Sequence, residues 1–523
     1  MRILNSNSND SGDAYQKALD ANQHGDWAAV IEHVDRYFVV LGANPPLSDA
    51  LLLKGFAALH LNRNADARSC FEQATRVAPG PASFRGLAVA LTRQGEFALA
   101  AAQARSGLAL SVKAGAALET SSLLSCLGDA LRNSQKFDEA AQAYRHLLDI
   151  APDHCAAHLN LGFILQCQDR LDDAIGHYRQ AVTIDPGYLE AHSNLASALL
   201  ATGRLEEAWP HFEHRWVSLV GPDGQRVPAR PELPIRRWEG DGHRRDHHLL
   251  VVAEQGLGDT LQFCRYLPMV LDQFAELTFV CPKPLQRLLA HSFLACRPNL
   301  RLADTVPTDP WLFDWHTPLL SLPKIFGTSL ATIPACVPYL HADQRAARAF
   351  ADRLDRLGSP SSPRIGIVWA GGHAGLGVDQ WRSLTPEQID PLLAWPHARW
   401  VSLQKPESDA KRLKAGQQAR VIDWMDEMKD FADTAALVAS LDLVISVDTS
   451  VAHLAGAMGK PVWLLNRFAG CWRWMRGRDD SPWYPGMRIF TQKDRGQWNE
   501  VLERVLAELE REWRGADTTA RSR

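Results

Sequence analysis

The sequence predicts an all-α repeat solenoid followed by a two-lobe α/β domain. Three observations carry this expectation. Small and apolar residues recur with a period of 34 before position 222. Strand–turn–helix units run from about 248 to the end. Of 17 tryptophans only Trp27 precedes position 209, so the two halves differ in composition. The 523 residues suit about three domains at roughly 150 residues each. The expected divisions are 1–225 for the solenoid, 226–345 and 346–513 for two α/β lobes, and 514–523 for a disordered tail.

The repeats come first in the chain. Residues 121–154, 155–188 and 189–222 align, with Leu127-Gly128, Leu161-Gly162 and Leu195-Ala196 in register. Leu131, Leu165 and Leu199 follow, then Ala140, Ala174 and Ala208, then Tyr144, Tyr178 and Phe212. Each unit reads as two amphipathic helices with a small residue where they cross. Weaker copies cover 48–80 and 81–114, a degenerate one covers 14–46, and an insertion near 115–120 breaks the register. Such a solenoid offers a concave groove for a peptide or partner protein, or serves only as support and for self-association. Asn160 and Asn194 occupy equivalent positions that suit either a backbone clamp or plain surface.

Pro228, Pro231 and Pro234 mark the linker to the first lobe. There a strand over 248–254 leads through Gln255-Gly256-Leu257-Gly258-Asp259 to a helix over 260–271, a strand over 276–281 and a helix over 284–291. The second lobe follows a helix over 342–357. Its expected strands cover 365–370, 399–404, 420–423, 443–447 and 461–465. Helices are expected over 433–440 and 495–513, and Gly459 reads as a helix stop.

Composition narrows the function. A net charge of −4 argues against a general nucleic-acid surface. No apolar window reaches the ~18 residues of a membrane span. Residues 1–12 lack the apolar core of a signal peptide, and nine scattered cysteines suit a reducing compartment, so a cytoplasmic protein is expected. The histidines show no metal spacing, and no metal or cofactor is expected.

The chemistry lies in the turns. The junction Asp448-Thr449-Ser450, between a buried strand and an alanine-rich helix, offers backbone N–H groups, hydroxyls and a positive helix end to an anion. His453 is one turn further in, where it can reach phosphates or simply pack. Gly371 lets a ligand approach the backbone, and Arg382 can neutralise a diphosphate. Gln404 and Lys405 end a strand on the same rim. In the first lobe a dinucleotide reading fails, because its third glycine would fall at Leu261. Gly256 and Gly258 instead suit close substrate approach. Asp259 reads equally as a general base facing the cleft and as a helix cap. No Asp-x-Asp pair occurs between 230 and 523, which fits a metal-independent sugar transfer in which cations and a helix dipole meet the leaving diphosphate. Asp479-Asp480, among Trp472, Trp474 and Trp483, suits acceptor or domain-contact surface; the aromatics there could stack on a sugar, but packing is the expected role for most of them.

These motifs resemble known families. The 34-residue unit resembles the tetratricopeptide repeat. Gly258-Asp259-Thr260-Leu261 and Asp448-Thr449-Ser450-x-x-His453-Leu454-Ala455 resemble glycosyltransferase family 9, the heptosyltransferases, whose fold is GT-B. The resemblance implies Asp259 as base and Asp448, Thr449 and His453 as sugar-nucleotide ligands. Two departures stand out: Arg382 where that family has a lysine, and Ser450 where it has glycine. The joining of repeats to such a half is similar to protein O-linked N-acetylglucosamine transferases, which implies a protein acceptor. Expected partners are therefore a nucleotide-diphosphate sugar and a protein or peptide, with self-association through the repeats as an alternative use. The rival expectations are a lipid or saccharide acceptor and a non-catalytic scaffold.

Overall fold

The computed structural model describes residues 3–41, 47–216, 233–242, 244–357, 362–372, 381–405 and 412–514. Pro228, Pro231 and nearly all of the expected tail lie outside the described residues. Two compact units divide between Asn194 and Leu195.

The first unit is helical throughout. Its helix pairs are Ile3–Gln23 with Trp27–Leu41, Ser48–His60 with Asn64–Val77, Pro81–Arg93 with Phe97–Lys113, Ala117–Asn133 with Phe137–Ile150, and Cys155–Cys167 with Leu171–Ile184. The periodic glycines and aromatics explain one another. A Cβ on Gly128 would lie 2.6 Å from the Tyr144 ring, and one on Gly162 would lie 2.7 Å from Tyr178. The glycine lets the second helix of the pair press its ring onto the backbone of the first. Both tyrosines are fully buried. Their hydroxyls donate to Asp129 (2.6 Å) and Gln166 (2.8 Å), so both buried hydroxyls are satisfied. The first pair begins at Ile3, earlier than residue 14. The expected insertion near 115–120 is absorbed as length: Phe97–Lys113 and Ala117–Asn133 have 17 residues each, against 13 or 14 in the neighbouring repeats. Asn160 donates to Asp129 across adjacent repeats at 3.3 Å.

The second unit contains two all-parallel sheets, a GT-B-like two-lobe arrangement. The first lobe's strands are β1 (Arg236–Arg237), β2 (Arg244–Val252), β3 (Phe274–Val280), β4 (Leu300–Ala303) and β5 (Trp315–Pro318), in the order β1-β5-β2-β3-β4. The second lobe's are β6 (Arg364–Val368), β7 (Arg399–Ser402), β8 (Val421–Ile422), β9 (Leu443–Val447), β10 (Val462–Asn466) and β11 (Met487–Thr491), in the order β11-β10-β9-β6-β7-β8. Every residue of β9 and β10 is buried, as expected for parallel strands covered on both faces. Gly459 ends the helix after β9 with φ +71°.

Several elements depart from expectation. β1, β4, β5 and β11 are not legible in the sequence: the first three have two to four residues, and β11 pairs only with β10 at the sheet edge. The helix expected over 260–271 is two helices, Leu257–Phe263 and Leu267–Leu271, joined by a 3-10 turn. Pro268 lacks the N–H that an unbroken helix would need, so it opens the second helix instead. The last helix runs over Trp498–Leu509 and loosens into a π turn over Glu510–Arg514.

Two contacts organise this unit. Trp209, on the helix Leu205–Phe212, donates its indole N–H to the Thr328 carbonyl at 2.7 Å. Arg265 is 4% exposed. It donates to the carbonyls of Gln262, Pro334 and Trp483 and to the Tyr339 hydroxyl, over the rings of Tyr339, Trp483 and Tyr484. It thereby ties the first lobe to the second. Among the described residues no helix is long and apolar enough to cross a membrane.

Candidate active site

In the first lobe the chain leaves β2 through Glu254, turns at Gln255 (φ +62°) and enters the helix Leu257–Phe263. Asp259 is the third residue of that helix. One carboxylate oxygen, Oδ2, accepts from the Gly256 N–H at 2.9 Å. The other, Oδ1, accepts from the guanidinium of Arg473. Asp259 thus caps the helix with one oxygen and pairs with the second lobe through the other.

Gly258 touches the second lobe. A Cβ there would lie 2.9 Å from His453 Cδ2 and 3.6 Å from Ser450 Cα. The glycine is needed because the start of the helix Ser450–Ala457 approaches its backbone directly. At Gly256 the same atom would meet only Asp259 Oδ2, at 3.2 Å.

In the second lobe four segments meet at the carboxyl edge of the sheet. Gln404 is 4% exposed, and its Oε1 accepts from Ala370 N at 2.9 Å and Trp369 N at 3.3 Å. It straps the ends of β6 and β7 together. A Cβ on Gly371 would lie 2.4 Å from Arg382 Nε, so this glycine makes room for the guanidinium. Arg382 Nη1 donates to the Asp448 carbonyl at 2.9 Å, which brings that cation to the end of β9. Lys405 is exposed beside them. Thr449 occupies the cap position of the helix Ser450–Ala457, but its side chain does not cap it. Its hydroxyl is 3.1 Å from Ser446 Oγ.

His453 is 4% exposed. Its Nδ1 is 2.9 Å from the Tyr484 hydroxyl, and its ring stacks on Trp474 with centroids 4.8 Å apart. Burial, with Arg473 and Arg265 nearby, holds its pKa well below the usual histidine value, so the ring is neutral at neutral pH. The tryptophans of the Trp-rich turn pack, the role the sequence favoured for most of them: Trp472, Trp474 and Trp483 are buried. Asp480 pairs with Arg478. Arg473, between two of those tryptophans, was not legible as a site residue. Its guanidinium lies 4.4 Å over the Trp472 ring and donates to Cys471 Sγ at 3.1 Å. Burial opposes its charge, but Asp259 beside it more than restores it and raises its pKa.

Glu254, just past the end of β2, belongs to a buried network. Arg215, 3% exposed, donates to Glu254 and to Ser321, while Glu213 pairs with Arg215 and Arg237. Burial pushes Glu254 up to about 7, against the opposing pull of Arg215. The folded-state value lies above the unfolded one. This carboxyl therefore adds no penalty below pH about 4.5, and it destabilises the fold increasingly as the pH rises to about 7. Glu254→Gln should remove that dependence. Relative to the wild type, the variant should gain on the order of 1–3 kcal/mol between pH 5 and 7.5 in urea titrations. Parallel stability curves for the two proteins across this range would sink the assignment.

Comparison with known proteins finds similarities in both halves of the chain. Tetratricopeptide-repeat models match residues 52–111, 119–187 and 168–208. The model described as glycosyltransferase family 9 (heptosyltransferase) matches residues 395–465, which span β7 to β10 and contain Gln404, Lys405 and Asp448 to His453. That stretch of the second half is similar to glycosyltransferase family 9. The curated Protein FlbA of Caulobacter vibrioides is 28% identical over 300 residues, 54% of this chain and 49% of FlbA, so the match spans about half of that relative. Solved structures similar to the chain include MamA from Desulfovibrio magneticus RS-1 (16% identity, 34% of this chain, 97% of that one, TM-score 0.31). YrrB, titled a TPR protein with an unusual peptide-binding site, is another (17%, 36% and 94%, TM-score 0.31). The chain is thus similar to glycosyltransferase family 9 over residues 395–465 and to tetratricopeptide repeats over three stretches of its first half.

Proposed function

We propose that this protein is a glycosyltransferase, moving a sugar from a nucleotide-diphosphate donor to a protein acceptor recruited by the repeats, without a metal. The observation that carries the reading is the contact of Gly258 with Ser450 and His453, which joins the turn of Asp259 to the family 9 segment. In this reading Asp448, Thr449, Ser450 and the edge of His453 receive the donor. Arg382 and the start of the helix Ser450–Ala457 stabilise the charge that builds on the departing diphosphate. Gln404 acts by fixing the backbone of β6 and β7, and Lys405 reaches the donor from the rim. Asp259 takes the proton from the attacking hydroxyl of the acceptor as its oxygen bonds to the anomeric carbon and the diphosphate leaves. Residues 226–345 would carry the acceptor side and 346–513 the donor side, with 1–225 as the recruiting solenoid, in the cytoplasm.

A second reading has one observation in its favour. The matched family is described as heptosyltransferase, which favours a saccharide acceptor, with the repeats serving self-association. Mass spectrometry of co-purified proteins for a sugar adduct separates the two.

The donor site is tested by screening UDP-, GDP- and ADP-sugars for hydrolysis and thermal shift. Thr449→Ala should weaken the nucleoside diphosphate that binds by roughly three- to tenfold in calorimetry, the worth of one hydrogen bond. Unchanged affinity would count against the phosphate site.

A further inference from the structure

The pair between Asp259 and Arg473 spans the two lobes, and its chemistry is peculiar for a resting base. Both oxygens of Asp259 are engaged, one by Gly256 N–H and one by Arg473. On Oδ1 the arginine competes with any hydroxyl that would hand its proton to Asp259. Arg473 for its part is a guanidinium with 13% of its side chain exposed, paired to one carboxylate from the other lobe. Its remaining contacts are a thiol and an indole face, Cys471 and Trp472. It also lies within electrostatic reach of Asp448 and His453, at the start of the helix Ser450–Ala457.

We propose that Arg473 is a diphosphate-binding group that Asp259 holds in reserve: the donor's diphosphate takes the guanidinium from Asp259 and so releases the base. The proposal rests on the donor-site reading above. The physical reason is charge. A guanidinium fork prefers the multiply charged, bidentate oxygens of a diphosphate to a single carboxylate oxygen. Asp259 takes the place on Arg473 that a phosphate oxygen would take, and it keeps the buried cation from being left unpaired. No covalent bond changes in this exchange. One ion pair replaces another, and Asp259 is unmasked only when a donor is present, which limits wasteful deprotonation in its absence.

The exchange has a consequence that ordinary site residues lack: removing the charge of Asp259 should improve donor binding, and only while Arg473 is there. The test is a four-protein cycle of wild type, Asp259→Asn, Arg473→Gln and the double variant. Each is titrated with UDP, GDP and ADP by calorimetry, with thermal melting to establish folding. Asp259→Asn should bind the preferred diphosphate roughly three- to tenfold tighter than wild type, since a competing charge-assisted bond is gone. Arg473→Gln should weaken it by roughly tenfold or more. In the double variant the gain from Asp259→Asn should disappear. Arg473→Lys, which keeps the charge and loses the fork, should fall between wild type and Arg473→Gln, and it serves if the glutamine variant fails to fold.

Equal affinity in wild type and Asp259→Asn would overturn the exchange while leaving the donor site intact. So would the same tightening in the Arg473→Gln background, which would mean that Asp259 merely repels the anion. If none of the three diphosphates binds wild type or any variant, the donor-site reading falls and the exchange with it.

Discussion

Asp259→Asn is expected to lower turnover by about 10²–10⁴-fold, the usual worth of a positioned general base. The isosteric amide keeps an oxygen to accept from Gly256 N–H, so the start of the helix Leu257–Phe263 should persist. What the amide lacks is the basicity to take a proton from the acceptor hydroxyl. Loss of turnover with donor binding retained or improved separates this role from a structural one. Sugar transfer from the preferred nucleotide sugar, followed at saturating donor, is the measurement. Near-wild-type turnover would remove Asp259 from the mechanism.

The second large effect concerns stability. Arg265→Met should cost about 3–5 kcal/mol, because it strands several buried acceptors at once, each worth about 1–3 kcal/mol when left unsatisfied. The carbonyls of Gln262, Pro334 and Trp483 and the Tyr339 hydroxyl all take a bond from this one side chain. The cation also sits over three aromatic rings, which methionine can only partly replace. All tryptophans but Trp27 lie at or beyond Trp209, so urea unfolding followed by indole fluorescence reports chiefly on this half of the chain. A variant within 1 kcal/mol of wild type would mean that water satisfies those acceptors. Because the residue ties the lobes together, a loss of donor-dependent thermal shift should accompany the loss of stability.

Much of the fold was legible because its signals are local. The period of 34 is written in glycines and aromatics that meet within one repeat, such as Gly128 with Tyr144. The apolar run of β9 and the following Asp448-Thr449-Ser450 junction announce a buried parallel strand and a helix start within a few residues. The short strands β1, β4 and β5 carry no such run, and they exist only because a longer neighbour pairs with them. The break at Cys264–Tyr266 could have been read from Pro268, and Arg265 within it gave no sign of bridging two lobes.

The site divides in the same way. The sequence by itself singled out the candidate segments: the Gly258-Asp259 turn, the Arg382 loop, the Gln404-Lys405 strand end and the Asp448 to His453 junction. These are local because a strand end followed by a glycine or a helix start exposes backbone and side chain together. Only the tertiary structure decided what each of them faces. Gly258 faces His453 rather than open cleft, Gly371 faces Arg382, and His453 is a neutral ring stacked on Trp474. Asp259 meets Arg473 from 214 positions away, a partner that no spacing rule could supply. Pairing of that kind is set by how two sheets close on each other, and a charge buried at their junction is tolerated only where the fold happens to bring its opposite.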